Sequence, residues 1–354
     1  MRVVAILNQK GGVGKTTTAV NLGAALALRG RSVLLIDADP QGNLTDHLGL
    51  DEKLGDVTVY DVLTDNAPIQ SAVLETETPG LFVLPTDGDL AAVEQELATE
   101  IARETRMRRA LAGIPEGTYD WVFIDCPPSL GLLSLNAMTA ATGLLVTVQT
   151  EYFAMRGLGQ LDEIVGMVQE HVNPQLELLG ILPTLVSPVT RLAREVIAEI
   201  REAYGDLVFQ TRIRQNVRLA EAPGHQVHIF AYDPLSAGAV DYRALAAEIE
   251  ARVAAAAVAT PVEAVPVDPM PAEAEPVEAV PAEAPPVQAA PAEAVPATEE
   301  AAPAPEPREA PPQNGHAETP ADDAAETQDA DADADADAPM AQPVAPAPSE
   351  PPHE

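Results

Sequence analysis

Residues 10–17 read Lys-Gly-Gly-Val-Gly-Lys-Thr-Thr, a combination of residue types that can bind phosphate. An ordinary phosphate-binding loop has the pattern G-x-x-x-x-G-K-[ST]. This chain keeps the second half of that pattern at residues 14–16, but Gln9 occupies the position of the opening glycine and Lys10 follows it. The chain has only three lysines, and two of them lie here. The pattern therefore predicts a phosphate-binding loop that carries an additional lysine.

The sequence on either side of the loop predicts a strand and a helix. Residues 3–7 form an apolar run rich in β-branched side chains, and residues 16–29 carry apolar residues at helical spacing. Glycines between the two elements let backbone N–H groups point inwards, and the helix N-terminus adds partial positive charge. We expect Lys15 to neutralise the β and γ phosphates of a nucleotide and the Thr16 hydroxyl to bind Mg²⁺. A glycine-rich turn without a ligand would need neither lysine.

Aspartates follow two other predicted strands. Asp37 and Asp39 come after the apolar run 33–36, and Asp125 comes after the run 121–124. Ligands of parallel sheets bind at the carboxyl ends of the strands, so these carboxylates should lie near the loop. We expect Asp37 and Asp125 to serve the metal site, Asp125 through water, and Asp39 to orient an attacking water. Each aspartate alone could equally be a helix cap or a turn residue.

The order of the remaining runs predicts the fold class. Further strands are predicted near residues 81–84, 144–148 and 178–182, and helices near 89–112, 131–140, 156–171, 192–204 and 236–257. This alternation predicts an α/β fold of the P-loop NTPase type, with a mostly parallel twisted sheet and helices on both faces.

Composition divides the chain of 354 residues, whose net charge is −35, into two unlike parts. Residues 1–259 hold 33 acidic and 19 basic residues and are long enough for one domain with its own core. Residues 260–354 hold 22 acidic residues and one basic residue, and consist largely of Ala, Pro, Glu and Asp. That composition predicts a disordered tail. The tail would be either a solvated extension or an arm that binds a basic partner or weakens DNA binding.

The chain also lacks several signals. Its one cysteine, Cys126, allows no internal disulfide, which is typical of a reducing cytoplasm, and we expect this residue to be small and buried. No run approaches 18 apolar residues, and no signal peptide precedes the first strand. We therefore expect a cytoplasmic protein without a membrane partner.

Arginines are concentrated in residues 191–218, which are net positive within an otherwise acidic domain. The segment contains Arg191, Arg194, Arg201, Arg212, Arg214 and Arg218. Arginines can contact the phosphates of DNA without reading its sequence. Ion pairs on a helix surface, such as Arg191 with Glu195, are the alternative and remain open from composition alone.

Five ordered motifs resemble the ParA/Soj partition ATPases, within the deviant Walker A group that includes MinD. The resemblance extends over about residues 2–255. The motifs lie at residues 10–17 (KGGVGKTT), 37–43 (DADPQGN), 124–128 (IDCPP), 151–158 (EYFA with GL) and 216–223 (NVRLAEAP).

This resemblance implies ATP and Mg²⁺ as cofactors and a homodimer that encloses ATP. The nucleotide-binding residues would be Lys10, Gly11, Gly12, Val13, Gly14, Lys15, Thr16, Thr17 and Asn216, with Asn216 near the adenine. Lys10 would reach the partner's nucleotide, Lys15 would hold phosphate, and Asp39 would position the hydrolytic water. The dimer would bind double-stranded DNA non-specifically through arginines such as Arg191, Arg194, Arg214 and Arg218. A ParB-type protein would stimulate hydrolysis, and the protein would be cytoplasmic and nucleoid-associated.

The chain departs from the family pattern at two places. Arg214-Gln215-Asn216 stands where the family usually has Pro-Arg-Asn, and Val189-Thr190-Arg191-Leu192 stands where it often has Arg-Thr-x-Leu. Both departures concern arginines that would contact DNA.

Two other functions within the same group remain possible from the sequence. A ParA-like ATPase could position a cargo other than DNA with the nucleoid as its track. A MinD-like ATPase would cycle on a membrane, but Arg252 is the only basic residue in the helix-like segment 244–258, which disfavours binding to an anionic bilayer. A redox relative of the nitrogenase iron protein would need two cluster cysteines.

Overall fold

The computed structural model describes residues 1–259, and the predicted tail 260–354 lies outside these described residues. The strands are β1 (Arg2–Leu7), β2 (Val33–Asp37), β3 (Leu74–Glu75), β4 (Leu81–Leu84), β5 (Trp121–Asp125), β6 (Gly143–Gln149) and β7 (Glu177–Thr184). They form one sheet in the order β3-β4-β2-β5-β1-β6-β7. Every pairing is parallel except that of β3 with β4. The predicted mostly parallel sheet is confirmed.

Eleven α-helices accompany the strands in this part of the chain. They are α1 (Lys15–Ala27), α2 (Asn43–His47), α3 (Val59–Thr64), α4 (Val93–Glu96), α5 (Arg106–Ala112), α6 (Leu132–Ala140), α7 (Ala154–His171), α8 (Arg191–Tyr204), α9 (Val217–Glu221), α10 (Ile229–Tyr232) and α11 (Ala237–Ala259). No helix within residues 1–259 is long and apolar enough to cross a membrane.

Helices cover both faces of the sheet, as predicted. Successive side chains of a strand point to opposite faces. In β1, Val4 and Ile6 pack in a core with α1 and α11, whereas Val3 and Ala5 pack in a second core with α5, α6 and α7. The central strands are buried on both sides, which explains why they read as continuous apolar runs rather than alternating ones.

The prediction of one helix over 89–112 is wrong. The chain instead forms short helical pieces, with extended backbone at Glu100 and a left-handed residue at Ala102 (φ 55°) between them. A non-glycine residue in that region interrupts a right-handed helix. The interruption lets Leu97 and Met107, on either side of it, pack into the same core.

The topology brings the predicted aspartates to one edge of the sheet. Asp125 pairs in register with Ile6 of β1 on one side and with Asp37 of β2 on the other. The phosphate-loop sequence begins just after β1 and runs into α1. The loop and the carboxylates therefore lie together at the carboxyl ends of the central strands, where parallel sheets bind ligands.

Candidate active site

The backbone of the loop has the curled conformation that its glycines predict. Gly12 (φ 73°) and Gly14 (φ 82°) are both left-handed, a conformation that other residues rarely adopt. Gly14 is the N-cap of α1, so that Lys15 starts the helix and is nearly buried. Across the sheet, the Thr184 hydroxyl at the end of β7 donates to the Val13 carbonyl oxygen at 2.8 Å. The loop is thus held open around a helix N-terminus, which favours a bound anion.

Thr16 and Asp125 form a direct hydrogen bond beneath the loop. Thr16 Oγ1 donates to Asp125 Oδ2 at 2.6 Å. Asp125 is fully buried, and its Oδ1 has no hydrogen-bond partner among the described residues. Burial raises the pKa of Asp125 well above its usual value, the charge of Asp37 adds to this, and the Thr16 hydrogen bond opposes it. A hydroxyl beside a carboxylate with a free oxygen is a donor set that suits Mg²⁺.

Asp37 lies beside Asp125 but is already hydrogen-bonded by the chain. Its Oδ2 accepts from the Thr45 backbone N–H at 2.9 Å and from the Thr45 hydroxyl at 2.7 Å. Burial raises the pKa of Asp37 to about 6, although both Thr45 hydrogen bonds lower it. Asp37 therefore fixes the start of α2 near the phosphate loop, and its metal-side role stays a prediction.

Asp39 is held in one orientation with an oxygen left over. Its Oδ1 accepts from the Gln41 backbone N–H at 3.0 Å, and its own N–H donates to Asp37 Oδ1 at 3.4 Å. Within residues 1–259, Asp39 Oδ2 has no hydrogen-bond partner, and the residue is 6% exposed. A carboxylate held this way can orient a water molecule.

Lys10 contacts its own chain across the end of the sheet. Its Nζ donates to Gln149 Oε1 at 3.0 Å and forms an ion pair with the Glu151 carboxylate. Its backbone N–H donates to Asn8 Oδ1 at 2.8 Å, which positions the first turn of the loop. The Lys10 side chain stays about half exposed, so it can reach outwards. The sequence offered no signal for Gln149 as a partner, because 139 residues separate the two.

A cavity of about 300 Å³ adjoins the loop. Gly14 and Thr17 line one side, and residues 213–217 line the other. Asn216 is among the lining residues, and its side chain accepts from the Arg218 backbone N–H at 2.8 Å as the N-cap of α9. The cavity has the position of a nucleobase site next to a phosphate site. Tyr242 also lines it, from a helix that sequence reasoning did not connect with the site.

The structure separates the four arginines predicted to bind DNA into two groups. Arg191 and Arg194 are exposed on α8, and Arg191 pairs with Glu195 at 2.6 Å, the surface ion pair considered above. Arg218 is half exposed and pairs with Glu221 at 2.8 Å. Arg214 instead lines the cavity and forms a two-pronged ion pair with Asp241. The Arg214 guanidinium is therefore held at the cavity wall by Asp241.

Cys126 has no place in the chemistry of the site. It is fully buried, as expected, and burial raises the pKa of its thiol above the ordinary range. A buried, protonated thiol is not a nucleophile.

A curled loop at a helix N-terminus, with a Thr–Asp pair below it and a cavity beside it, defines a P-loop nucleotide-binding protein. A family model described as an AAA domain matches residues 1–178. The sporulation initiation inhibitor protein Soj of Bacillus subtilis is 47% identical over 250 residues, which cover 71% of this chain and 98% of Soj. The chromosome partitioning protein ParA of Caulobacter vibrioides is 47% identical over 253 residues, covering 71% and 95%.

The solved structures agree with this fold. Cobyrinic acid a,c-diamide synthase from Mycobacterium smegmatis, with bound ADP and magnesium, has 40% sequence identity and a TM-score of 0.63, over 72% of this chain and 96% of that one. The septum site-determining protein MinD of Pyrococcus horikoshii, complexed with Mg-ADP, superposes with a TM-score of 0.58 at 24% identity, which shows the fold alone. The chain belongs to the ParA/Soj family of P-loop ATPases.

Proposed function

We propose that the chain is an ATP-dependent DNA-partitioning protein whose ATP-bound dimer holds DNA and releases it after hydrolysis. ATP and Mg²⁺ are its cofactors. The observation that carries the proposal is the Thr16–Asp125 hydrogen bond beneath the phosphate loop, with a cavity of about 300 Å³ beside the same loop. The family of the chain supports partitioning as the purpose of this ATPase.

Each residue of the site would have a separate role in phosphoryl transfer. Lys15 would hold the β and γ phosphates at the start of α1, while Thr16 and Asp125 would hold Mg²⁺. Bound Mg²⁺ would neutralise charge that develops on the phosphate oxygens. Asp39, fixed by the Gln41 N–H, would orient the attacking water with its free oxygen. Asn216 would lie against the adenine.

Dimerisation would complete the site. Lys10 is exposed, sits at the mouth of the loop, and can leave its own-chain partners Gln149 and Glu151. In a dimer that encloses two nucleotides, Lys10 of each subunit would reach the phosphate of the other. A cation placed there stabilises charge in the transition state. Hydrolysis would then remove the phosphate that holds the dimer together.

Non-specific double-stranded DNA and a ParB-type protein are the proposed partners. Arg191, Arg194 and Arg218 are exposed or half exposed, so their guanidinium groups are accessible to DNA phosphates, which are contacted without reading the base sequence. Arg191 and Arg218 pair with exposed or half-exposed glutamates, whereas Arg214 is left out of this surface because a two-pronged pair with the nearly buried Asp241 holds it. The ParB-type protein would stimulate hydrolysis and so time release from DNA, and the protein would be nucleoid-associated in the cytoplasm.

Turnover of ATP measured with and without Mg²⁺, and with unrelated DNA added, tests the proposal. We expect Mg²⁺-dependent hydrolysis that rises when DNA is present. Hydrolysis that is independent of Mg²⁺ and unchanged by DNA would contradict it.

A further inference from the structure

Helix α11 contacts both walls of the cavity beside the phosphate loop through two consecutive residues. Asp241 contacts the wall formed by residues 213–216, and Tyr242 contacts helix α1 on the other side. Both residues are nearly buried. They lie more than 200 positions from the phosphate loop in the sequence, and none of the family motifs above includes them.

Asp241 contacts the wall formed by residues 213–216 through several hydrogen bonds. Asp241 Oδ1 accepts from Arg214 Nη2 at 2.6 Å, and Oδ2 accepts from Arg214 Nε at 2.9 Å. Asp241 Oδ2 also accepts from the Arg214 backbone N–H at 3.0 Å. A bidentate arginine–carboxylate pair fixes orientation as well as distance. Asp241 therefore holds both the side chain and the backbone of this wall.

The rest of the wall is held by backbone hydrogen bonds to β7 and to the segment that follows it. The Ile213 N–H donates to the Pro183 carbonyl at 2.9 Å, and the Gln215 N–H donates to the Val186 carbonyl at 3.1 Å. Gly238, one turn before Asp241, approaches Leu219 so closely that a Cβ there would lie 2.6 Å from its Cγ. The first turn of α11 thus sits directly against the lining of the cavity.

Tyr242 ties the same helix to α1, which follows the phosphate loop. The Tyr242 hydroxyl lies 3.2 Å from the Thr18 hydroxyl, one turn into α1. Since α1 begins at Lys15, α11 links the start of α1 to the wall at Arg214, in addition to the backbone hydrogen bonds that hold this wall near the end of β7.

We propose that Asp241 is a positioning residue for the nucleobase: it holds Arg214, and with it the cavity wall, at the distance from the phosphate loop that a purine nucleotide requires. The inference rests on the proposed function, because it takes the cavity as the site of the ATP base. Arg214, which stands where the family usually has proline, is then part of the nucleotide site and not of the DNA surface. Asp241 acts on the base through Arg214, and the hydrogen bonds of its carboxylate go to Arg214 and not to the phosphate loop.

Two ligands distinguish a loss of base positioning from a loss of the folded nucleotide site as a whole. ATP uses both the cavity and the loop, whereas magnesium tripolyphosphate uses the loop alone. For Asp241→Asn we expect ATP affinity to fall about tenfold, because a misplaced wall loses oriented contacts, with tripolyphosphate affinity unchanged within about twofold. Glu250→Gln is the matched control, since Glu250 also joins α11 to arginines, Arg29 and Arg31, but far from the cavity.

A double-mutant cycle with Arg214→Gln tests whether the two residues act as a unit. We expect the double variant to bind ATP no more weakly than Asp241→Asn alone. Two results for a folded Asp241→Asn variant, as judged by a thermal melt, would overturn the inference and leave the proposed function intact. One is normal affinity for ATP. The other is an equal loss of affinity for ATP and for magnesium tripolyphosphate. Wild-type protein that binds neither ligand would contradict the proposed function itself, and the inference with it.

Discussion

Thr16 Oγ1 donates a 2.6 Å hydrogen bond to Asp125 Oδ2, joining the first turn of α1 to the end of β5. The contact spans 109 residues of sequence and lies where the phosphate loop meets the carboxyl end of the sheet. It leaves Asp125 Oδ1 buried and without a partner in the described part of the chain. A buried carboxylate oxygen is costly unless something compensates it, and Mg²⁺ held with a nucleotide would do so.

Replacing the lysine at the start of α1 should abolish ATP binding. In Lys15→Ala the charge that faces the β and γ phosphates is lost, so we expect affinity to fall at least about a hundredfold. Lys53→Ala, which removes the remaining lysine outside the loop, is the control and should bind normally. Titration with a fluorescent ATP analogue measures both. Retained binding in Lys15→Ala would mean that the phosphates lie elsewhere.

Replacing Lys10 should separate dimerisation from nucleotide binding. Lys10→Ala should bind ATP as a monomer with little change but form no ATP-dependent dimer, because the cation that reaches across is missing. Gln149→Ala keeps the lysine and removes only one own-chain partner, so its dimer should persist. Light scattering with and without ATP distinguishes them, and a normal dimer in Lys10→Ala would refute the role in trans.

Asp39→Ala should give an ATP-bound dimer that persists. Without the carboxylate that orients water, turnover should fall by about 10²- to 10⁴-fold while ATP binding is kept. The exposed Asp46, in the neighbouring helix α2, provides a control as Asp46→Ala. Single-turnover hydrolysis measures the effect. Unchanged turnover in Asp39→Ala would show that another residue holds the water.

The exposed arginines of α8 should contribute to DNA affinity through charge alone. In Arg191→Ala/Arg194→Ala the dependence of affinity on salt should weaken, its slope falling by about two for two lost phosphate contacts. Arg108→Ala/Arg109→Ala removes two arginines from α5 and should leave the slope unchanged. If both double variants show the same dependence of DNA affinity on salt, Arg191 serves only in the surface ion pair with Glu195.

The sequence predicted the central strands and the phosphate loop because both are local patterns. Short apolar runs encode buried parallel strands, and the loop glycines encode its left-handed turns. Strand β3 was not predicted, since two residues at an antiparallel edge carry no periodicity. The break at Ala102 was not predicted either, because a common helix former stands at the position where the chain turns.

The site was predicted only as far as its motifs extend. Thr16 and Asp125 follow from motif type, and their contact follows from parallel topology. The pairing of Arg214 with Asp241 could not be inferred, because it depends on how α11 packs against the cavity. For the same reason, the family resemblance placed Arg214 among the arginines of a DNA surface and gave no sign of its pairing with Asp241.

Binding of unrelated DNA duplexes with ATP, with ADP and without nucleotide tests the central claim most directly. The measurement should be made at low and at moderate salt, because contacts to phosphate weaken as salt rises. We predict binding with ATP only, sensitive to salt and indifferent to DNA sequence. Absence of binding in all three nucleotide states, or equal binding in all three, would contradict a switch that attaches to DNA when it holds ATP.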